Sequence, residues 1–183
     1  MEAIPIFSFA AYSGTGKTTL MEQVIRRLKA AGLRIAAIKH DAHGFEIDHA
    51  GKDSWRFAQA GSDVTIVSSP EKTACILARP LAFHQVAALV GDVDLIVVEG
   101  YKKEGLTQIG LCRKDSGKGF TDDLSRYAAI VTDRRDIQCE VPLFDLEDIE
   151  GIAGFILENR HRFTRFLDGN LLPPEAASGA GGI

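Results

Sequence analysis

The chain is poor in the residues that mark a special environment. Its 183 residues include three cysteines, two methionines and one tryptophan. Cys75, Cys112 and Cys139 are far apart, odd in number and form no C-x-x-C. That excludes a disulfide framework and a thiolate zinc template, and reduced thiols in a cytoplasmic protein are the expectation. No apolar run approaches the ~20 residues of a bilayer-spanning helix, so no membrane partner is expected. There is no basic excess either: 21 Lys and Arg stand against 25 Asp and Glu, a net charge of −4, which leaves no footprint for nucleic acid. Arg26, Arg27 and Lys29, and again Arg160, His161, Arg162 and Arg165, read as solvated faces. The N-terminus enters an apolar strand at once, so no signal peptide is expected. No internal repeat is visible. What remains is the composition and length of one soluble domain with a real core.

Into this plain background is set Ala11-Tyr12-Ser13-Gly14-Thr15-Gly16-Lys17-Thr18-Thr19. The apolar run 4–10 before it reads as a buried strand. Leu20, Val24, Ile25 and Leu28 after it recur at helical spacing. Strand, glycine loop, Gly-Lys-Thr and helix form the context of a phosphate-binding P-loop. Gly14 and Gly16 let backbone N–H groups of Ser13 to Thr19 close around phosphate oxygens. The helix points its positive end at the anion. Lys17 reaches the β- and γ-phosphates, and the Thr18 hydroxyl sits on Mg²⁺. The first glycine of the motif is replaced by Ala11, which costs about 1 kcal/mol if that position needs a positive φ and nothing if it is extended.

The remaining elements alternate. A helix is expected over 18–31, stopping at Gly32, and a buried strand over 33–39. A short helix over 53–60 precedes strands 63–68 and 73–78, joined by Ser69-Pro70-Glu71-Lys72 as an antiparallel hairpin. A helix over 81–90, strands over 94–98, 108–112 and 127–131, a short strand at 143–144 and a helix over 147–159 follow. From about Asp168 periodicity stops, and 168–183 reads as a disordered tail after a nucleotide-binding domain of 1–167. The fold class is α/β: a mostly parallel sheet flanked by helices, ligand at the carboxyl ends of the strands, and the hairpin at one edge.

Glu99 ends the run Leu95-Ile96-Val97-Val98 where a Walker B carboxylate lies, able to hold Mg²⁺ directly or through water. Its bland alternative is an ordinary strand-end carboxylate. The loop from Lys39 to His49 is the densest group of potential ligands, with His40, His43, His49, Asp41 and Asp48. Three readings stand: a transition-metal site, a switch-like loop with Asp41 or Asp48 in the outer shell of Mg²⁺, or a solvated loop. Lys52 and Arg56 lie one helical turn apart and suit an anion, or else a surface helix that Trp55 and Phe57 pack down. Thr132-Asp133 ends a strand, where the carboxylate either accepts the N1–H and N2–H of guanine or caps the next turn.

Four segments together resemble the molybdopterin-guanine dinucleotide biosynthesis adapter family. They are 11–20, Ile38-Lys39-His40-Asp41-Ala42-His43-Gly44-Phe45, the Asp48 to Arg56 run and Val98-Glu99-Gly100-Tyr101-Lys102. The resemblance spans about residues 4 to 160. It implies a P-loop α/β fold, usually a homodimer, that binds GTP and assists the guanylyltransferase joining GMP to molybdopterin. Gly14, Gly16, Lys17, Thr18 and Glu99 carry over by position. A second reading is an ATP-dependent small-molecule kinase or ligase similar to dethiobiotin synthetase. No water-positioning group is evident, and Arg56 and Arg113 are the candidate arginine fingers, so at most slow hydrolysis of GTP is expected.

Overall fold

A computed structural model describes residues 2–41, 43–116, 119–120 and 123–174. Two compact units appear: residues 1–40 with 83–183, and residues 41–82. The single domain expected up to residue 167 is thus interrupted by a smaller unit.

The first unit is built on β1 (Ile4–Ala10), buried on both faces. Phe7 and Phe9 point to one core, with Leu20, Met21, Val24 and Leu28 of α1 (Lys17–Ala30) and Ile152, Ala153 and Ile156 of α4 (Ile149–Asn159). Ile6 points to the other, with Phe83 and Ala87 of α3 (Phe83–Ala88). Strand alternation separates the two sets. β1 pairs in parallel with β5 (Leu95–Glu99) on one side and β6 (Thr107–Cys112) on the other. Outside these lie β2 (Ile35–Lys39) on β5, and β7 (Ala129–Thr132) then β8 (Leu143–Phe144) beyond β6, all parallel. Helix α1 ends as expected: Gly32 takes φ 91°, its N–H bonds to the Lys29 carbonyl, and the Leu33 N–H reaches that of Leu28.

The chain does not leave the sheet at residue 167. β9 (Thr164–Leu167) and β10 (Asn170–Leu172) form a hairpin about Asp168-Gly169, and β9 runs antiparallel to Ile4–Ile6. This corrects the tail that was expected from Asp168. Residues 164–172 are short and irregular in hydropathy, but β1 offers a free ladder edge at Ile4–Ile6, because β6 pairs only from Phe7 onward. Residues 175–183 lie outside the described residues.

The second unit holds α2 (Asp53–Gln59) and the hairpin β3 (Val64–Ser68) and β4 (Thr73–Leu77). The hairpin forms as expected, with Val64 opposite Leu77 and Ser68 opposite Thr73. It is a two-stranded sheet of its own and not an edge of the large sheet. Val64, Ile66 and Val67 are exposed, on both of its faces, so the apolar residues that suggested an edge end at a free surface. Helix α2 buries no residue and Phe57 is exposed, so Phe57 does not pack it down.

Where β9 and β6 meet along β1, two threonines close the ladder. The Thr107 N–H donates to Thr164 Oγ1 at 2.9 Å, and the Thr164 N–H to Thr107 Oγ1 at 2.8 Å. Thr164 is buried. Thr164→Val removes the acceptor and strands a backbone N–H, which is expected to lower the unfolding free energy by about 1–3 kcal/mol in urea titration. The paired Thr107→Val change should add less than its single effect.

Candidate functional site

The loop between β1 and α1 is held by its own residues. Gly14 and Gly16 take φ 83° and 78°, a region that costs a residue with Cβ. Ala11 is not among the residues of positive φ, and it packs on the core beneath α1, so the substitution carries no strain. Thr15 is buried and donates its hydroxyl to the Tyr12 carbonyl at 2.8 Å. Its side chain therefore braces the loop and leaves only main chain for a ligand. Ser13, Gly14, Thr18 and Thr19 are exposed at the mouth. The first turn of α1 contains no acidic residue, so no carboxylate of the helix neutralises its N-terminal N–H groups.

Two cations converge there. Lys17 Nζ lies 3.3 Å from Glu99 Oε1, with both side chains about one-sixth exposed (16% and 17%). The register of β1 and β5 causes this, since Phe9 stands opposite Glu99 and brings the strand end beside the loop. The second cation is Arg113. A Cβ placed on Gly16 would meet its guanidinium carbon at 3.4 Å, so the planar group lies against the loop glycine. Arg113 is held by its carbonyl, which accepts the Ser116 hydroxyl at 2.7 Å and the Ser116 N–H at 3.2 Å. Its sequence signal was a cation directly after a strand that neighbours β1.

Asp133 follows β7 at the same end of the sheet. Its Oδ1 accepts the Lys114 N–H at 2.7 Å, so it anchors the turn that carries Arg113. The turn it holds is thus an earlier one and not the turn that follows β7; a carboxylate has about four acceptor positions, and others remain for a second partner. Arg134 makes paired bonds to Asp136 at 3.0 and 2.6 Å, which hold the Asp136 carboxyl down at about 2.

Beyond Glu99 the backbone turns tightly. Gly100 has φ 94°, and a Cβ there would fall 2.8 Å from the Cβ of His40. The close approach that Gly100 permits is therefore to the end of β2, where the His40 N–H bonds to the Glu99 carbonyl at 2.9 Å. Tyr101 follows with φ 49° and stacks between His40 and Phe83, ring centroids 4.6 and 4.5 Å away. Burial and the nearby Glu104 charge raise its hydroxyl pKa. Lys39, opposite Glu99 in register, is exposed.

The other predicted residues lie in the second unit. Asp41 Oδ1 accepts the His43 N–H at 3.0 Å. Asp48, at φ 92°, accepts the His49 N–H at 2.8 Å; its carboxyl pKa is lowered by the Ser54 hydroxyl first and by that N–H second. Its other oxygen, Oδ2, is buried and has no hydrogen-bond partner among the described residues. Lys52 precedes α2, and Arg56 lies 3.8 Å from Asp53 across one turn, exposed. Among the described residues no group of three or more His, Cys, Asp or Glu side chains is placed to hold a metal, so the transition-metal reading of the 39–49 loop finds no cage.

A family profile described as molybdopterin guanine dinucleotide synthesis protein B matches residues 6–133. The chain belongs to that family. It is 37% identical over 162 residues to the molybdopterin-guanine dinucleotide biosynthesis adapter protein of Escherichia coli K12, which spans 85% of this chain and 93% of that protein. The Haemophilus influenzae adapter is 34% identical over 164 residues, 87% and 92% of the two chains. A crystal structure of molybdopterin-guanine biosynthesis protein B superposes with a TM-score of 0.65 at 27% identity, over 85% of this chain and 98% of that one. The Bacillus subtilis protein of the family shares the fold with a TM-score of 0.68 at 24% identity, over 85% and 97%. No described helix is long and apolar enough to cross a membrane.

The turn after Glu99 yields a sharp expectation. Gly100→Ala meets both the left-handed φ and the His40 backbone. It should lower stability by about 1–3 kcal/mol in chemical unfolding. A variant as stable as the parent would contradict that close packing.

Proposed function

We propose that the protein is a GTP-binding adapter that assists attachment of GMP to molybdopterin, acting with the guanylyltransferase that performs the transfer. The observation that carries this reading is the convergence of Lys17, Glu99 and Arg113 on a glycine-held loop, in a chain of this family. Without nucleotide, Lys17 is neutralised by Glu99. A triphosphate competes for the ammonium and frees the carboxylate. Glu99 and the Thr18 hydroxyl are then two oxygen donors for Mg²⁺. These two oxygens would hold the ion, a number of protein donors that fits the hard, oxygen-seeking chemistry of Mg²⁺. When bound, it neutralises charge on the β- and γ-phosphates. Asp41, Lys39, His40, Asp48, Lys52 and Arg56 remain candidates for contact with the nucleotide or the partner enzyme. Asp133, already anchored, offers its remaining acceptor positions to the guanine edge. Cys75, Cys112 and Cys139 form no disulfide, which suits a reducing compartment such as the cytoplasm.

The adapter relatives favour this over the kinase or ligase alternative. Slow turnover follows from the site. Tyr101, which follows the Glu99-Gly100 turn, is stacked between His40 and Phe83 and does not serve to orient a water. Hydrolysis by the protein alone should stay well below the ~10 s⁻¹ of an ordinary enzyme.

Calorimetry with GTP and ATP, with and without Mg²⁺, tests the reading. Lys17→Ala should weaken GTP binding by about 2–5 kcal/mol, because it removes a cation and leaves Glu99 facing the phosphates. Adding Glu99→Gln to it should recover part of that loss without Mg²⁺. Unchanged GTP affinity in Lys17→Ala removes the phosphate-loop assignment, and ATP preferred over GTP removes the guanylyl role.

A homodimer belongs to the same proposal. The hairpin exposes Val64, Ile66 and Val67 at 46%, 63% and 45%, and a lone two-stranded sheet is marginal in water. A second copy that covers it resolves both. Light scattering at micromolar concentration should give a dimer mass, and Ile66→Glu should give the monomer. A monomeric parent would contradict it.

A further inference from the structure

A cavity opens beside the phosphate loop, on the opposite face of the sheet from α1. Along β1 and β6 the residues Phe9, Ile109 and Leu111 face the core beneath α1. Ala10, Gln108 and Gly110 alternate to the other face, with Ala10 opposite Gly110 in register. Among the described residues the connection from β6 to β7 carries two single 3₁₀ turns, Lys114–Ser116 and Leu124–Arg126, and no α-helix. Two aromatic rings lie there instead. A Cβ on Gly110 would come within 2.8 Å of Phe120 and 3.2 Å of Tyr127, so the bare glycine admits both rings, which pack on each other at 5.2 Å. Beside them remains a cavity of about 240 Å³ whose lip is Ala11 and Tyr12 of the phosphate loop.

Its lining selects a ligand. The volume is below the about 300–1,000 Å³ of sites for whole drug-sized molecules, so it suits one ring system. Aliphatic floor and aromatic wall favour a flat ring. The half-buried Gln108 amide offers a carbonyl and an NH₂, the complement of a cyclic amide edge. Lys102 and Arg126 line the cavity, and no acidic residue does among those described. In a chain of net charge −4 that bias marks an anionic substituent.

We propose that this cavity receives the fused pyrimidinone ring of a pterin bearing an anionic group, beside a nucleotide on the phosphate loop. The choice of pterin over guanine, which shares that ring edge, rests on the function proposed above, in which the nucleotide takes the loop and the base reaches Asp133. The protein would then hold both partners of the guanylyl transfer at once, on adjacent edges of β1.

The test titrates the full chain with pterin-6-carboxylate, read by the anisotropy of its own fluorescence, with and without saturating GTP and Mg²⁺. GTP binding is measured separately by calorimetry. Pterin bound equally with and without GTP, and weakened about tenfold or more by Gln108→Leu and by Lys102→Ala with thermal unfolding unchanged, is the expected result. A protein that binds GTP but no pterin overturns the inference and leaves the adapter reading intact. Pterin displaced competitively by GTP overturns it too, since the cavity is then the base site. Pterin bound by a protein that does not bind GTP upholds the cavity and removes the adapter reading. Pterin affinity unchanged in both variants places the ligand elsewhere and overturns the assignment.

Discussion

The parallel pairing of β1 with β5 is the constraint on which the site depends. It sets Phe9 opposite Glu99, and so delivers a carboxylate to the ammonium of Lys17, 82 positions earlier in the chain. That pairing is held by residues with no solvent exposure on both strands, among them Ile6, Phe7, Leu95, Ile96, Val97 and Val98. A slip of one residue would turn every one of them to the other face, so burial on both sides makes the register rigid. The functional loop is irregular, yet it is anchored to the least compliant part of the molecule.

Charge is arranged around that anchor with little redundancy. The loop gathers Lys17 and Arg113 in a protein that is acidic as a whole. Glu99 holds one cation without closing the site, because both partners keep contact with water and screening weakens their attraction. A pair that keeps some contact with water is held less tightly than a fully buried one, whose breaking would strand a charge. Asp133 acts one step further out, fixing the Lys114 amide and hence the turn that lays Arg113 on Gly16. Its value for positioning is visible whether or not it also reads a base.

The two units differ in what holds them. In the larger one, apolar side chains fill both faces of the sheet. In residues 41–82 the order is local: the His49 N–H to Asp48, the Ser69 hydroxyl to the Lys72 carbonyl, and the hairpin ladder. Few buried contacts back these bonds, and exposed Phe45, Ile47 and Phe57 accompany them. Such a segment is the part of a fold most open to reshaping by a partner.

Much of this was legible from the chain. Strand, glycine loop and helix around Gly14, Gly16 and Lys17 are local patterns, and local backbone preference together with hydrophobic period is enough to read them. Glu99 was legible because a charge ending an apolar run is a local anomaly, and Gly32 because a helix stop is chemical. Four features were not. β9 and β10 form only because β6 leaves the start of β1 unpaired. Arg113 reaches Gly16 only through the order of the sheet. Gly100 packs against His40, and the hairpin pairs as a two-stranded sheet of its own. Each depends on which distant segments meet, and that is decided by register and burial over the whole sheet, terms that no window of neighbouring residues contains. The sequence by itself determined that a P-loop pattern and a strand-end carboxylate exist; only the tertiary structure decided that the carboxylate pairs with Lys17, that Arg113 is the second cation, and that a ring-sized cavity opens beside them.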